Sequence, residues 1–422
     1  MHVSIEKLVY GGEGLARTAE GVLLVPLVLP GEDATVQLEQ RHKGVRRGRL
    51  LQVTEPCADR VPPECPYFAR CGGCHYQHIR YERQLQLKQE IVRECFERTG
   101  KIRLEVPIAV LASEPWQYRN RARFQIDKEG ARFEIGYFEL LSHLLCPVER
   151  CPVSSPAIND ALRNLCQGVG TACFPDGKAE IELFASDTGQ ALLATIDSAG
   201  PAPPVFGEAL RSAIPALQSV CWRQEASGRE KARVANWGSG SITYHVGEFH
   251  YRVGHGSFFQ TNRFLLEAFI RAVVGDLEGR RALDLYAGVG FFTIPLAHHF
   301  EKVTAVEAHL ASARDLASNV AVVSARALSY QMTAEKFLAT ASPGWDVIVV
   351  DPPRGGLTKL VLQHLDRLRP RRIVYVSCDP TTLARDLATI THGGYSIRSV
   401  HLVDLFPQTY HLETIIHLEQ AG

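Results

Sequence analysis

Three closely spaced cysteines are the first residues in this chain whose types and spacing could do chemistry. Cys65, Cys71 and Cys74 fall within ten residues of one another. Eleven cysteines in 422 residues are too few for a disulfide scaffold, and their number is odd. The spacing therefore predicts a metal site. Thiolate ligands suit zinc or an iron–sulfur cluster, and the spacing leaves both open.

A glycine-rich turn at residues 284–290 is the second chemical feature. It ends one predicted strand and opens a helix, so its glycines let the backbone approach a ligand. Glu307 ends the next predicted strand, where a carboxylate can accept hydrogen bonds from ribose hydroxyls. The pair predicts a nucleoside-containing cofactor. The glycines alone also fit a nicotinamide dinucleotide site or a tight turn.

Asp351 and Cys378 each lie where a predicted apolar strand ends, and Glu413 enters another apolar strand. Two prolines follow Asp351 and fix a rigid loop, although an ordinary turn uses the same residue types. A cysteine at a strand end can be a nucleophile when its thiolate is stabilised, although many lone cysteines are inert core residues. A carboxylate entering an apolar strand is costly unless paired or functional. These residues predict a nucleophile and a base in one cleft.

The elements that must position these residues change character along the chain. From about residue 245, continuous apolar strands alternate with helical stretches, which is typical of a parallel, doubly wound α/β sheet. The first 56 residues show short strands between glycine-rich turns, which favours a small β-barrel. The region between is mixed. We expect three domains, at residues 1–56, 57–245 and 246–422, with part of the central helical segment packing on the last.

Charge and hydropathy narrow the function classes. The formal net charge is zero, so no whole-molecule field attracts a polyanion. No apolar run approaches the roughly 18 residues of a membrane span, and the first residues lack a secretory signal, so we expect a cytoplasmic protein. Two local basic clusters predict either an RNA-binding edge or solvated surface: Arg41, Lys43, Arg46, Arg47 and Arg49, and Arg119, Arg121 and Arg123.

Taken together, the motifs resemble those of the S-adenosylmethionine-dependent RNA uridine-5-methyltransferases that carry a TRAM domain and an iron–sulfur cluster. The resemblance is closest to members that act on 23S ribosomal RNA. It implies a Rossmann-like methyltransferase domain, an N-terminal TRAM barrel that is OB-like and binds RNA, and a mixed α+β central iron–sulfur domain. The motifs that carry it are residues 11–14, 29–32, 65–78, 118–121, 257–262, 284–290, 351–354, 377–380 and 411–413.

The same resemblance implies ligands for two cofactors. A [4Fe–4S] cluster is expected on the three clustered cysteines and on Cys151, which is preferred to Cys146 because a proline follows it as in the family. S-adenosylmethionine contacts are expected from Gln260, Tyr286, Glu307 and Asp351. Phe291 departs from the family, many of whose members have asparagine at that position.

The implied reaction is methyl transfer to carbon 5 of an unpaired uridine in RNA, most simply 23S ribosomal RNA, without a membrane or protein partner. Cys378 adds to carbon 6 and Glu413 removes the proton from carbon 5, while Arg119 and Arg121 hold the flanking RNA. Four alternatives remain open at this point: the same reaction on transfer RNA, amino-methylation of a nucleobase, a non-catalytic iron–sulfur RNA-binding protein, and a nicotinamide oxidoreductase.

Overall fold

A computed structural model of the chain describes residues 1–39, 45–225, 233–323 and 325–421. Two members of the first basic cluster, Arg41 and Lys43, lie outside the described residues. The described strands form four sheets. No helix of the described residues combines the length and the apolar character needed to cross a membrane.

The N-terminal sheet is curled around one small apolar core. Its order is β1-β5-β6-β4-β3-β2, so the two edge strands are consecutive in sequence and only Ile5 and Glu6 separate them. The Ile5 amide donates to the Glu32 carbonyl and the Glu6 amide to the Leu15 carbonyl, at 2.9 Å each. The sheet is therefore barrel-like, as the sequence predicted. Its strands are β1 (His2–Ser4), β2 (Lys7–Leu8), β3 (Glu13–Thr18), β4 (Gly21–Pro26), β5 (Asp33–Leu38) and β6 (Arg46–Glu55).

The next segment holds one long helix and one strand, α1 (Tyr81–Cys95) and β7 (Ile108–Leu111), joined through a π-helical turn at Phe96–Gly100. The apolar side of α1, with Leu87 and Ile91, packs in the same core as the large C-terminal sheet. This segment therefore packs with the C-terminal part of the chain. The boundaries at residues 56 and 245 stay predictions.

The central sheet has seven strands in the order β10-β9-β8-β11-β12-β13-β14, all antiparallel except the β12–β13 pair. Short helices cover it, and a separate hairpin follows it. The strands are β8 (Arg121–Glu129), β9 (Arg132–Phe138), β10 (Leu145–Pro147), β11 (Gly177–Ala185), β12 (Leu192–Ser198), β13 (Leu217–Gln224) and β14 (Arg233–Gly238). The helices are α2 (Pro156–Asn164), α3 (Gly170–Cys173) and α4 (Phe206–Ala213), and the hairpin pairs β15 (Ser241–Val246) with β16 (Phe249–Gly254).

The C-terminal sheet has eight strands in the order β19-β18-β17-β20-β21-β23-β22-β7. Its helices are α5 (Leu266–Val274), α6 (Thr293–His299), α7 (Leu310–Val320), α8 (Ala334–Thr340), α9 (Lys359–Leu368) and α10 (Pro380–His392). Its remaining strands are β17 (Gly279–Leu285), β18 (Phe300–Glu307), β19 (Ala327–Gln331), β20 (Val347–Val350), β21 (Arg372–Ser377), β22 (Tyr395–Val403) and β23 (Glu413–Gln420).

Both faces of this sheet are buried, which explains its uninterrupted apolar strands. Within β20, Val347 and Val349 face one apolar core while Ile348 and Val350 face the other. Helices α5 to α7 contribute to the first core and helices α8 to α10 to the second. The doubly wound architecture is therefore confirmed. The prediction of a parallel sheet is wrong for one strand, because β23 runs antiparallel to β21 and β22.

A buried ion pair fastens α1 to the loop before β23. Lys88 and Asp404 are both fully buried, with their charged atoms 2.5 Å apart, and the ammonium also donates to the Phe406 carbonyl. Burial lowers the pKa of Lys88, and the Asp404 carboxylate opposes that shift. Removing one member leaves the other charge buried and unpaired, which costs about 3–5 kcal/mol.

Lys88→Met is accordingly expected to lower the free energy of unfolding by about 3–5 kcal/mol, measured by denaturant titration. Lys302 is the matched control, because it is exposed on β18 and its replacement by Met should change stability by less than about 0.5 kcal/mol. Equal stability of the two variants would contradict this account of the ion pair.

Candidate active site

The strand register places five of the predicted site residues along one edge of the C-terminal sheet. Leu285 pairs with Val306 on one side and with Val350 on the other. The next residues along these parallel strands are Glu307, Tyr286 and Asp351, which therefore lie side by side.

The same edge continues to the predicted nucleophile and base. Ser377 of β21 pairs with Thr414 of the antiparallel strand β23. One step further along this ladder, Cys378 faces Glu413. Two residues 35 positions apart in sequence thus meet at the same end of the sheet, with Asp351 on the neighbouring strand.

The glycine-rich loop is rigid on one side and open on the other. Glu307 accepts hydrogen bonds from the Gly288 amide at 2.8 Å and from the His309 amide at 2.6 Å. A Cβ atom on Gly288 would meet nothing within 4 Å, so there is open space above the loop. Tyr286 has a φ of +61°, which is unusual for a residue with a side chain and turns the loop at the strand end.

Asp284 adds an incompletely satisfied carboxylate beneath this loop. One oxygen accepts a 2.5 Å hydrogen bond from the Thr293 hydroxyl, and the other is buried without a partner among the described residues. Burial raises the pKa of Asp284 to about 7, with a smaller contribution from the Glu307 charge. Asp284 is the first residue of the glycine-rich turn, and the turn motif by itself predicts no role for it. Its signal was a carboxylate inside an otherwise apolar strand.

Asp351 and Glu413 are both difficult to ionise. Burial, with the charges of Asp284 and Glu307, raises the pKa of Asp351 to about 7. Burial and the neighbouring Asp351 hold the pKa of Glu413 well above its usual range. One oxygen of Glu413 is buried without a partner among the described residues. A buried, unpartnered carboxyl group beside a cysteine is suited to proton transfer.

The thiol of Cys378 is also held in its neutral form. Burial raises its pKa to about 12, and the charges of Glu413 and Asp351 act in the same direction. The Arg354 guanidinium, in the loop after β20, opposes this rise in the pKa. Its guanidinium lies 3.4 Å from the His411 ring nitrogen. A nucleophilic role for Cys378 therefore requires that its thiol be activated when substrate binds.

Gln260 lies in the segment before α5. Its neighbour Phe259, through Phe291, connects this segment to the glycine-rich loop. The backbone carbonyl of Gln260 accepts a hydrogen bond from the Asn120 side chain at 3.2 Å, and its side-chain amide makes no hydrogen bond to the described residues. The adjacent Phe259 ring packs against Phe291, with centroids 5.6 Å apart. Phe291 is buried against these aromatic rings, so a packing residue occupies the position where many members of the family have asparagine.

The four predicted metal ligands line a single cavity of about 180 Å³. Cys65, Cys71, Cys74 and Cys151 all contribute to its wall, whereas Cys146 is fully buried in the apolar core of the central sheet. Burial and the neighbouring thiols raise the pKa of Cys71 to about 12. Within the described ranges, no three His, Cys, Asp or Glu side chains are arranged to hold a single metal ion.

Two of the three arginines of the second basic cluster, Arg119 and Arg121, are directed inwards. Arg119 lines the cysteine cavity, and its Nε is buried without a partner among the described residues. Arg121 donates to the Ser257 carbonyl at 2.7 Å and stacks on Phe184 at 4.2 Å. The Arg121 side chain is therefore engaged within the protein, and that of Arg119 faces the cysteines. That these two arginines hold flanking RNA stays a prediction. The exposed Arg123 pairs with Glu180 and Glu182.

The first basic cluster is also paired where the structure describes it. Arg46 lies 2.6 Å from Glu20, and Arg47 makes two hydrogen bonds to Glu13, at 2.7 and 3.0 Å. Arg49 donates to Gln37 at 2.6 Å. These contacts stabilise the N-terminal sheet. Both interpretations of this cluster, as an RNA-binding edge and as solvated surface, stay predictions.

Comparison with known proteins identifies the family to which this geometry belongs. A model of the tRNA (uracil-5-)-methyltransferase family matches residues 239–421. The 23S rRNA (uracil(1939)-C(5))-methyltransferase RlmD of Alkalilimnicola ehrlichii is 32% identical over 429 residues, covering 98% of this chain and 95% of that protein. The chain belongs to the RNA uracil-5-methyltransferase family.

Two further relatives agree with this membership. An uncharacterised RNA methyltransferase of Halalkalibacterium halodurans is 30% identical over 99% of this chain and 96% of that protein. The crystal structure of Pyrococcus abyssi tRNA (uracil-54, C5)-methyltransferase in complex with S-adenosyl-L-homocysteine superposes with a TM-score of 0.78. It covers 99% of this chain and 100% of that one at 25% identity.

Membership decides between the reaction classes that the sequence left open. The protein is an S-adenosylmethionine-dependent enzyme that methylates carbon 5 of uracil in RNA. Amino-methylation, nicotinamide chemistry and a purely RNA-binding role are therefore set aside.

Proposed function

We propose that this uracil-5-methyltransferase acts on 23S ribosomal RNA through a covalent bond between Cys378 and carbon 6 of the base. The observation that carries the chemistry is the position of Cys378 directly opposite Glu413 at the carboxyl end of β21. The 32% identity to an enzyme named for 23S ribosomal RNA favours that substrate. The Pyrococcus relative is named for transfer RNA, which makes transfer RNA the second candidate.

The proposed mechanism follows from the poor nucleophilicity of carbon 5. The Cys378 thiolate adds to carbon 6, and the electron pair displaced onto carbon 5 then forms the new bond to the methyl group. S-adenosylmethionine would supply that methyl group from its positively charged sulfur; the bond between sulfur and the methyl carbon breaks, and neutral S-adenosylhomocysteine is the leaving group. Glu413 removes the proton from carbon 5, and the released electron pair expels Cys378 from carbon 6. Asp351 lies next to this pair and holds the base in register.

The methyl-donor site is proposed on the adjoining strands. Glu307 and Tyr286 lie beside Asp351, and the open space above Gly288 leaves room for a ligand against the loop. Gln260 lies on a segment packed against the same loop. These residues fit a nucleoside because Glu307 is fixed by two backbone amides and can still accept ribose hydrogen bonds. The base must be flipped out of any helix to reach Cys378.

A methyl-transfer assay tests both the reaction and the substrate. Protein purified without oxygen is incubated with S-adenosylmethionine and with unmodified transcripts of 23S ribosomal RNA or transfer RNA, and the nucleosides are identified by mass spectrometry. We expect 5-methyluridine in the ribosomal RNA and none in the transfer RNA. Product in transfer RNA alone would replace the proposed substrate, and a methylated amine or ribose would overturn the reaction.

We further propose that Cys65, Cys71, Cys74 and Cys151 hold a [4Fe–4S] cluster. The chemistry of the donor set fits, because four thiolates are the usual ligands of such a cluster and all four line one cavity. The Arg119 side chain lines the same cavity, and its guanidinium offers positive charge to the thiolates. We also propose that the barrel-like sheet of residues 1–56 is a TRAM-like RNA-binding unit.

Metal analysis of two matched variants tests the cluster. Protein purified anaerobically should contain about four irons and four sulfides per chain. It should also show the visible absorbance of an iron–sulfur cluster. Cys151→Ala should lose most of this iron, while Cys146→Ala should keep it. One zinc per chain would contradict the cluster, and iron loss in Cys146→Ala alone would reassign the fourth ligand.

The rate of methyl transfer should rise with pH. Cys378 reacts as a thiolate, and its raised pKa of about 12 means that the thiolate fraction grows about tenfold per pH unit below that value. Glu413 must also be ionised to accept a proton, so its raised pKa acts in the same direction. We expect kcat/KM to increase steadily between pH 6.5 and 8.5, by about tenfold per pH unit. A flat or falling profile in initial-rate measurements would contradict this electrostatic description.

A further inference from the structure

A turn of the N-terminal sheet reaches into the active site. Between β2 and β3, the Val9 amide donates to the Glu13 backbone carbonyl, and the Gly12 amide donates to the Val9 carbonyl. Gly12 has a φ of +88°, and a Cβ atom there would lie 3.1 Å from Tyr410 and 3.4 Å from the His75 side chain. Only glycine combines this conformation with so close a contact. The turn is therefore shaped to rest on the loop that precedes Glu413.

Tyr10, at the tip of this turn, contacts the nucleophile directly. Its hydroxyl donates a 3.1 Å hydrogen bond to the carbonyl of Cys378, across 368 residues of sequence. Its ring packs edge-on against Tyr410, with centroids 5.9 Å apart and an interplanar angle of 87°. Burial raises the pKa of Tyr10, so the phenol stays protonated and remains a donor.

The Cys378 carbonyl lies in the short connection between strand β21 and helix α10. Strand β21 ends at Ser377, and helix α10 begins at Pro380 with Asp379 as its N-cap. Asp379 is fixed by accepting hydrogen bonds from the Thr381 and Thr382 amides. Cys378 lies between these two anchors, and the bond from Tyr10 fixes its peptide plane and hence the direction of its side chain.

We propose that Tyr10 is a positioning residue for methyl transfer, through which the N-terminal sheet orients the Cys378 nucleophile. The inference rests on the proposed covalent mechanism and adds a residue from outside the C-terminal sheet to its machinery. It also gives a role to the Gly11-Gly12 pair, which allows the turn to approach Tyr410 and His75 closely enough for the phenol to reach Cys378.

The test measures the step that Cys378 itself performs. A 23S ribosomal RNA transcript containing 5-fluorouridine is mixed with S-adenosylmethionine and excess enzyme. The rate of formation of the denaturation-resistant protein–RNA adduct is followed, because fluorine at carbon 5 blocks the final elimination. We expect Tyr10→Phe to slow adduct formation about tenfold, the loss of one well-placed hydrogen bond, while RNA affinity and Tm stay unchanged.

Tyr395→Phe is the matched control. Tyr395 also donates a hydrogen bond to a backbone carbonyl, that of Pro370 at 2.7 Å, but it lies at the start of β22, away from Cys378. Its loss should leave the adduct rate unchanged. Gly12→Ala, which displaces the turn, should slow the adduct step in the same direction. Adding Tyr10→Phe to Gly12→Ala should cause little further loss, because both substitutions break the same contact.

The outcomes separate the inference from the function on which it depends. An adduct in the wild type that forms equally fast in Tyr10→Phe overturns the positioning role and leaves the covalent mechanism intact. A parallel loss of Tm or RNA affinity in Tyr10→Phe, in proportion to the rate, overturns it in favour of a purely structural contact. Absence of any adduct in the wild type, with an RNA that the methyl-transfer assay has shown to be methylated, overturns the covalent mechanism and this inference with it.

Discussion

Cys378→Ala removes essentially all formation of 5-methyluridine, with an expected loss of about 10⁴- to 10⁶-fold in the rate of methyl transfer. Alanine cannot add to carbon 6, so carbon 5 keeps the low nucleophilicity of free uracil. Cys378 is half-buried at the end of β21, where a smaller side chain leaves the strand and the N-cap of α10 intact. The variant should therefore fold, bind RNA and bind S-adenosylmethionine like the wild type.

The measurement is single-turnover methyl transfer with nucleoside mass spectrometry, beside binding assays for both ligands. Cys166→Ala is a suitable control, because Cys166 is an exposed cysteine remote from the strand ends that form the site. Its activity should equal that of the wild type. Retention of even one per cent of wild-type activity by Cys378→Ala would show that another group, or no covalent bond at all, activates carbon 5.

Glu413→Gln is expected to stop the reaction at a later step. Glutamine has nearly the same shape but cannot accept the proton from carbon 5, so methylated RNA should remain attached to Cys378. The loss of a general base costs about 10²- to 10⁴-fold in turnover. The distinguishing feature is the accumulation of adduct with ordinary uridine-containing RNA, which neither the wild type nor Cys378→Ala should show.

The same substitution should raise stability near neutral pH. The raised pKa of Glu413 means that the folded protein binds its proton more tightly than the unfolded chain does. That carboxyl group therefore costs stability as the pH rises above its unfolded value, and Gln removes the cost. Thermal melts of the variant and the wild type at pH 6 and 8 measure this change in stability. Denaturing gels with labelled RNA detect the trapped adduct. Rapid turnover without trapped RNA would assign the base to another residue.

The sequence predicted the parts of the site that depend on local pattern. Apolar strands that end in Glu307, Asp351 and Cys378 must bring these residues to one edge, because parallel strands of a doubly wound sheet share a carboxyl end. The direction of the strand holding Glu413 was not predictable from its composition. An antiparallel strand places its first residue, and not its last, at that edge.

Contacts between distant segments could not be predicted from the pattern. Tyr10 precedes two glycines in a turn, and nothing local indicates that its hydroxyl meets residue 378. Arg119 and Arg121 look like surface cations in sequence, yet one lines the cysteine cavity and the other stacks on Phe184. Burial of an arginine depends on partners from other elements, such as Ser257, that the sequence does not place.

The covalent bond between Cys378 and the RNA is the central claim, and peptide mapping tests it most directly. Wild-type enzyme is incubated with S-adenosylmethionine and 5-fluorouridine-containing 23S ribosomal RNA, digested with protease and nuclease, and analysed by tandem mass spectrometry. We predict a peptide whose Cys378 carries one methylated 5-fluorouridine nucleotide. Methylated RNA with Cys378 recovered unmodified, or an adduct on any other residue, would contradict the mechanism.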